Sequence, residues 1–146
     1  MTKPKFPSQI FFSLAVLFSY PLSSFASQYT CSINGVLGLT DAGVYATHEW
    51  ENFYLNRQFV VDRADGKVIS TTALKARLKN FDETYSPKLV SSGDKDHPFK
   101  SITVFDNVGE FTVLQINENF DGAQKPFYYQ TYIGMLLSGT CEATET

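Results

Sequence analysis

The stretch RQFVVDRADGKVIS, residues 57–70, crowds Asp62, Arg63, Asp65 and Lys67 around Gly66. That composition raises the question of a calcium loop. An EF-hand loop aligned on Gly66 needs oxygen ligands at positions 61, 63 and 65 and a glutamate at 72. The chain has Val61, Arg63, Asp65 and Thr72 there, so three of the four requirements fail. The same residues make a good hairpin, because Asp65-Gly66 supplies the positive φ of a tight turn between the strands QFVV and KVIS. A type I turn on Ala64 and Asp65, closed by Gly66, sets Arg63 beside Lys67 and Asp62 near Val68. Asp62 is expected to pair with a charge on a neighbouring strand. Arg63 is charged beyond what the turn requires and is a candidate binding residue.

Other constellations are thin. The chain has two histidines, His48 and His97. In HEWEN the second histidine of a helical zinc-protease motif is replaced by Asn52, so His48 reads as an ordinary surface residue. DKDHPF gathers Asp94, Asp96 and His97 in one loop, with the atoms for a weak divalent-cation site but not the ligand set of a structural zinc. A solvated loop is the expected reading, and no cofactor is expected. No serine sits in a nucleophile elbow, and two histidines leave few bases for covalent catalysis. Fifteen acidic residues allow many carboxylate pairs, so a hydrolase with unlocated carboxylates stays open as an alternative.

The beginning of the chain, MTKPKFPSQIFFSLAVLFSYPLSSFAS, places Lys3 and Lys5 before an uncharged apolar run from Ile10 to Tyr20 and small residues around Ala26. This is the layout of a signal peptide, with cleavage expected after Ala26. The run falls short of the roughly 20 residues that span a bilayer. A mature chain of 120 residues, 27–146, then forms one domain with no membrane span, periplasmic or secreted. Ten basic and fifteen acidic residues remain in it, and this mildly acidic balance argues against nucleic acid and anionic membranes as partners.

Cys31 and Cys141 are the only cysteines, and an oxidising compartment would keep them bonded to each other. Such a bond requires their Cα atoms to lie within about 7 Å, so the first and last strands should be neighbours or nearly so.

These residues are carried by strands. FKSITVF and EFTVLQI alternate with period two on either side of DNVG and read as a hairpin. PFYYQTYIGMLLSGTCE continues in that style, with Phe127, Tyr129 and Ile133 pointing one way and Tyr128 and Tyr132 the other. TCSINGVLGL reads as a first strand weakened at Asn34-Gly35, TDAG as a turn and VYAT as a return strand. In HEWENFYLN, Trp50, Phe53 and Tyr54 share one short helical face and are candidates to cover the sheet. ALKARLKN, residues 73–80, reads as a strand or a single helical turn, and residues 86–98 as a strand end followed by an exposed loop. The sum is all-β: a small antiparallel barrel or sandwich of about eight strands, with room for one short helix, its first and last strands tied by the disulfide. Sixteen aromatics remain in the mature chain. Most should be core, but aromatics on both faces of one strand make Trp50, Tyr54, Tyr128 and Tyr132, with Arg63, the candidate binding residues.

The leader, the early cysteine, the FVVDRADGKVIS hairpin with Asp62, Arg63, Gly66 and Lys67, the KPF strand start and the terminal SGTCE together resemble a group of small exported proteins of Gram-negative bacteria. The resemblance implies a bacterial exported setting and brings no activity with it. Periplasmic lysozyme inhibitors are similar in size and architecture, but their tryptophan-lysine-glycine signature is absent. The sequence therefore points to binding rather than catalysis. The expected partner is another protein of the envelope or the exterior, as for an inhibitor, immunity or assembly factor. The alternative is a lipocalin-like barrel holding a small apolar ligand.

Overall fold

The computed structural model describes residues 27–70, 85–106 and 109–144. The expected leader, the ALKARLKN segment and residues 107–108 of the DNVG turn lie outside the described residues. β1 (Gln28–Leu39) is a single strand of 12 residues. Asn34-Gly35 does not end it. The register against the partner strand shifts between Ile33 and Gly35, which is a β-bulge. The extra residue changes the buried parity from Tyr29, Cys31 and Ile33 to Val36, so one strand keeps its apolar side inward along its whole length.

β2 (Tyr45–Thr47) folds back on the end of β1. One helical turn, α1 (Glu51–Tyr54), then steps out before β3 (Gln58–Asp62) rejoins the same edge of β1. β4 (Val68–Ser70) pairs with β3. β5 (Lys88–Ser92), β6 (Phe99–Phe105), β7 (Glu110–Ile116), β8 (Gln124–Gln130) and β9 (Leu136–Thr144) complete the sheet. The strand order is β4-β3-β1-β9-β8-β7-β6-β5, all neighbours antiparallel, with β2 beside β1 off this path. First and last strands are neighbours, as the cysteines required. Cys31 stands directly opposite Cys141, bonded, with Cα atoms 3.9 Å apart.

The aromatic strand of the sequence is two strands. Thr131 N–H and hydroxyl both donate to the Met135 carbonyl, at 2.8 and 3.1 Å, and Gly134 takes a φ of 78° between them. The turn breaks the alternation, so Ile133 does not join Phe127 and Tyr129 inside but sits at the tip, 44 % exposed.

The barrel-or-sandwich expectation resolves into a curled half-barrel. The curl is visible where the β3–β4 turn meets β6, second and seventh in the strand order. Gly66, at φ 78°, lies so close that a Cβ there would stand 2.6 Å from Ser101 Cβ, and Ser101 Oγ donates to the Gly66 carbonyl at 3.5 Å. Glycine is needed here twice, for the backbone angle and for the approach. Asp62 N–H donates to the Lys67 carbonyl at 2.9 Å, and the Asp62 carboxylate accepts Ala64 N–H at 2.8 Å. The turn is therefore one residue longer than expected: Lys67, not Val68, faces Asp62, whose side chain serves the turn.

Inside the curl, Tyr29, Ile33, Phe59, Phe99, Leu114, Phe127, Tyr129, Met135 and Leu137 form one buried cluster. Phe59 meets Phe127 edge-on at 5.3 Å and Tyr29 meets Phe99 at 5.4 Å. Tyr54 of α1 is fully buried in it, with Trp50 and Phe53 packed alongside.

Candidate functional site

The candidate binding residues do not converge. Tyr54 is core. Trp50 is half-buried at the start of α1, its ring 5.4 Å from that of His48. Tyr128 stands on the outer face of β8, its hydroxyl donating to Gln115 Oε1 at 3.0 Å across the β7–β8 pair. Tyr132 lies in the β8–β9 turn with its ring 6.1 Å from Phe105.

Arg63 turns inward. Its guanidinium lies 4.8 Å over the Tyr29 ring and 3.4 Å from Glu118, with only 20 % and 13 % of the Arg63 and Glu118 side chains exposed. The Tyr29 hydroxyl donates to the same Glu118 oxygen. Burial, then the hydrogen bond and negative charge of Glu118, push the Tyr29 phenol well above its ordinary value, and Arg63 opposes this. Lys125 Nζ holds the loop beyond β7, donating to the carbonyls of Glu118 and Phe120 at 3.1 and 2.6 Å. This cluster joins β1, the end of β3 and the β7–β8 loop. Its chemistry is structural, because each group satisfies another.

In the DKDHPF loop, Asp94 accepts N–H bonds from Asp96 and His97 at 2.8 and 2.7 Å and contacts His97 Nδ1 at 3.0 Å. The hydrogen bond from the Asp96 amide, then that from the His97 side chain, holds the Asp94 carboxyl below its usual range. Asp96 pairs with Lys95 at 2.6 Å. The carboxylates are spent on the loop itself, and no group of three or more metal-ligating side chains occurs among the described residues.

A more open site lies at the other end of β1. A cleft of about 230 Å³ is lined by Gly38, Leu39, His48, Ile133, Gly134 and Met135. Met135 is fully buried, whereas Leu39 is 62 % exposed. Val44 and Tyr45 of the β1–β2 hairpin and Ile133 of the β8–β9 turn are exposed as well, so both sides of this end are apolar. The His48 ring packs against Gly38, where a Cβ would meet its Cδ2 at 2.6 Å. Trp50 N–H donates to His48 Nδ1 at 3.1 Å. A neutral ring that accepts at Nδ1 carries its proton on Nε2, so His48 offers a hydrogen-bond donor beside Leu39 and Ile133.

Sequence reasoning found His48 but not the cleft. The signal that could have found it is the hairpin LTDAGVY, whose turn residues sit between apolar residues with no polar face. Compared with protein-family models, curated proteins and solved structures, the chain matches none.

Proposed function

We propose that this is an exported binding module that recognises another protein through the end of the half-barrel formed by the β1–β2 hairpin and the β8–β9 turn. The observation that carries the reading is the pair of exposed apolar residues Leu39 and Ile133 at a cleft floored by buried Met135, with Val44 and Tyr45 exposed on the adjoining hairpin. Apolar groups clustered on a surface mark interaction sites, whereas singly scattered ones do not. A volume of about 230 Å³ lies below the roughly 300–1,000 Å³ of small-molecule sites and suits one inserted side chain. The concave interior, where a lipocalin-like ligand would lie, is filled by core side chains among the described residues, which makes that alternative the weaker one. The exported setting is supported by the leader layout and by the disulfide. No helix among the described residues is long and apolar enough to cross a membrane.

The test is affinity capture from envelope extract with the oxidised protein and two double variants. A specific protein retained by the wild type and by Val104→Asp/Phe111→Asp, on the outer face of β6 and β7, but lost by Leu39→Asp/Ile133→Asp, is the expected result. An empty capture, or loss with the β6–β7 variant alone, would overturn the reading.

A further inference from the structure

Resting on the binding-module reading, we infer that the outer edge of β2 is a strand-addition site for an extended partner segment with basic residues at its ends. The hydrogen-bond pattern fixes which groups are free. Thr40 N–H donates to the Val44 carbonyl at 2.9 Å and His48 N–H to the Val36 carbonyl at 3.1 Å. With Leu37 opposite Thr47, Gly38 opposite Ala46 and Leu39 opposite Tyr45, the inward-bonding pairs fall on residues 44, 46 and 48. Antiparallel pairs alternate, so the N–H and C=O of Tyr45 and Thr47 point away from β1. Among the described residues β2 pairs with β1 alone, and all three of its residues are exposed.

This edge lacks the usual protections. Natural edge strands carry lysine, proline or inward charges that discourage pairing. Here the residues are Tyr45, Ala46 and Thr47. Four outward backbone groups on a three-residue strand are what an extended peptide needs in β-augmentation, in which main-chain bonds supply affinity and neighbouring pockets supply selectivity. His48, the residue after β2, also lines the cleft described above.

Charge selects the occupant. Asp41 precedes β2 and Glu49 and Glu51 follow it, whereas no lysine or arginine occurs between Lys5 and Arg57. A second copy pairing edge to edge would bring these carboxylates against their own kind. A segment with a β-forming centre and a lysine or arginine at each end meets opposite charge on both sides.

The probe is the peptide Lys-Thr-Val-Thr-Val-Thr-Lys, titrated into the oxidised protein and followed by amide NMR shifts. Saturable binding is expected, with the largest shifts at Tyr45 and Thr47. Methylating the peptide's β2-facing amides should weaken it at least tenfold, and replacing its lysines by glutamates should weaken it severalfold at low salt. Thr47→Pro, which removes one outward N–H, should weaken it tenfold at an unchanged unfolding midpoint, and the methylated peptide gives the same information should that variant misfold. Absence of binding at millimolar peptide, equal binding after methylation, shifts centred elsewhere, or dimerisation through β2 would each overturn the edge assignment. The module reading stands or falls separately, on loss of capture by the Leu39/Ile133 variant.

Discussion

The guanidinium of Arg63 bridges from the β3–β4 hairpin to Glu118, 3.4 Å away in the loop after β7, while stacking on Tyr29 of β1. Removing Arg63 leaves a mostly buried carboxylate with Tyr29 as its side-chain partner, and hydrogen bonds to charged groups are worth about 1.5–3 kcal/mol. Arg63→Ala is expected to lower unfolding free energy by about 2 kcal/mol in urea titrations. Arg63→Lys should lose less, keeping charge but not the stacked plane. A double-mutant cycle with Glu118→Gln should show coupling, and strictly additive effects would refute the bridge.

Alkaline pH should weaken the fold through Tyr29 and Tyr129. Burial is the largest cause at both phenols, and both are raised well above the ordinary value. The contribution is complete below about pH 10, where the unfolded chain also keeps its phenols protonated, and declines as pH rises beyond it. Ultraviolet phenolate absorbance should therefore show two tyrosines ionising only together with unfolding. Tyr29→Phe and Tyr129→Phe should each remove one from that step.

Gly66 and Gly43 separate backbone strain from close packing. Both have positive φ, 78° and 75°, but a Cβ at Gly43 meets nothing within 4 Å, whereas at Gly66 it meets Ser101. Gly43→Ala should cost about 1 kcal/mol and Gly66→Ala clearly more. Equal losses in thermal unfolding would mean that the hairpin does not dock on β6.

Gly139 tests the approach of β9 to β1. Its backbone is unstrained, yet a Cβ would stand 2.0 Å from the Ser32 carbonyl oxygen and 2.9 Å from Phe127. Gly139→Ala should be among the most damaging single methyl additions, read as loss of amide exchange protection at Ser32 and Ile33.

The disulfide closes a separation of 110 residues, worth about 4–5 kcal/mol in the chain-entropy model. Both cysteines are fully buried. Reductant alone should leave the bond intact, and reductant with mild denaturant should open it, seen as a gain of two hydrogens by mass spectrometry.

Much of the architecture was legible because it is written in short-range signals. Alternation in FKSITVF and EFTVLQI marks half-buried strands, Asp65-Gly66 marks a turn, and two lone cysteines behind a leader-like segment point to a pairing. What escaped has its cause in distance. Asn34-Gly35 looks like a strand end, because only the partner β9 shows that the extra residue is absorbed as a bulge. Arg63 looked like a surface charge, because Glu118 lies 55 residues away in sequence and becomes its neighbour only once the sheet curls. The β2 edge is a property of pairing pattern, which composition does not encode.

The Cys31–Cys141 pairing also constrains the order of events in folding. β1 and β9 lie side by side within the strand order, flanked by β3 on one side and β8 on the other. Neither flank can be joined to the other until the last strand is present, so the seam between earliest and latest strands is a late, long-range closure. In a chain that emerges from its beginning, β1 stands with one side unpaired until β9 arrives, so the strand made first waits longest for its second neighbour.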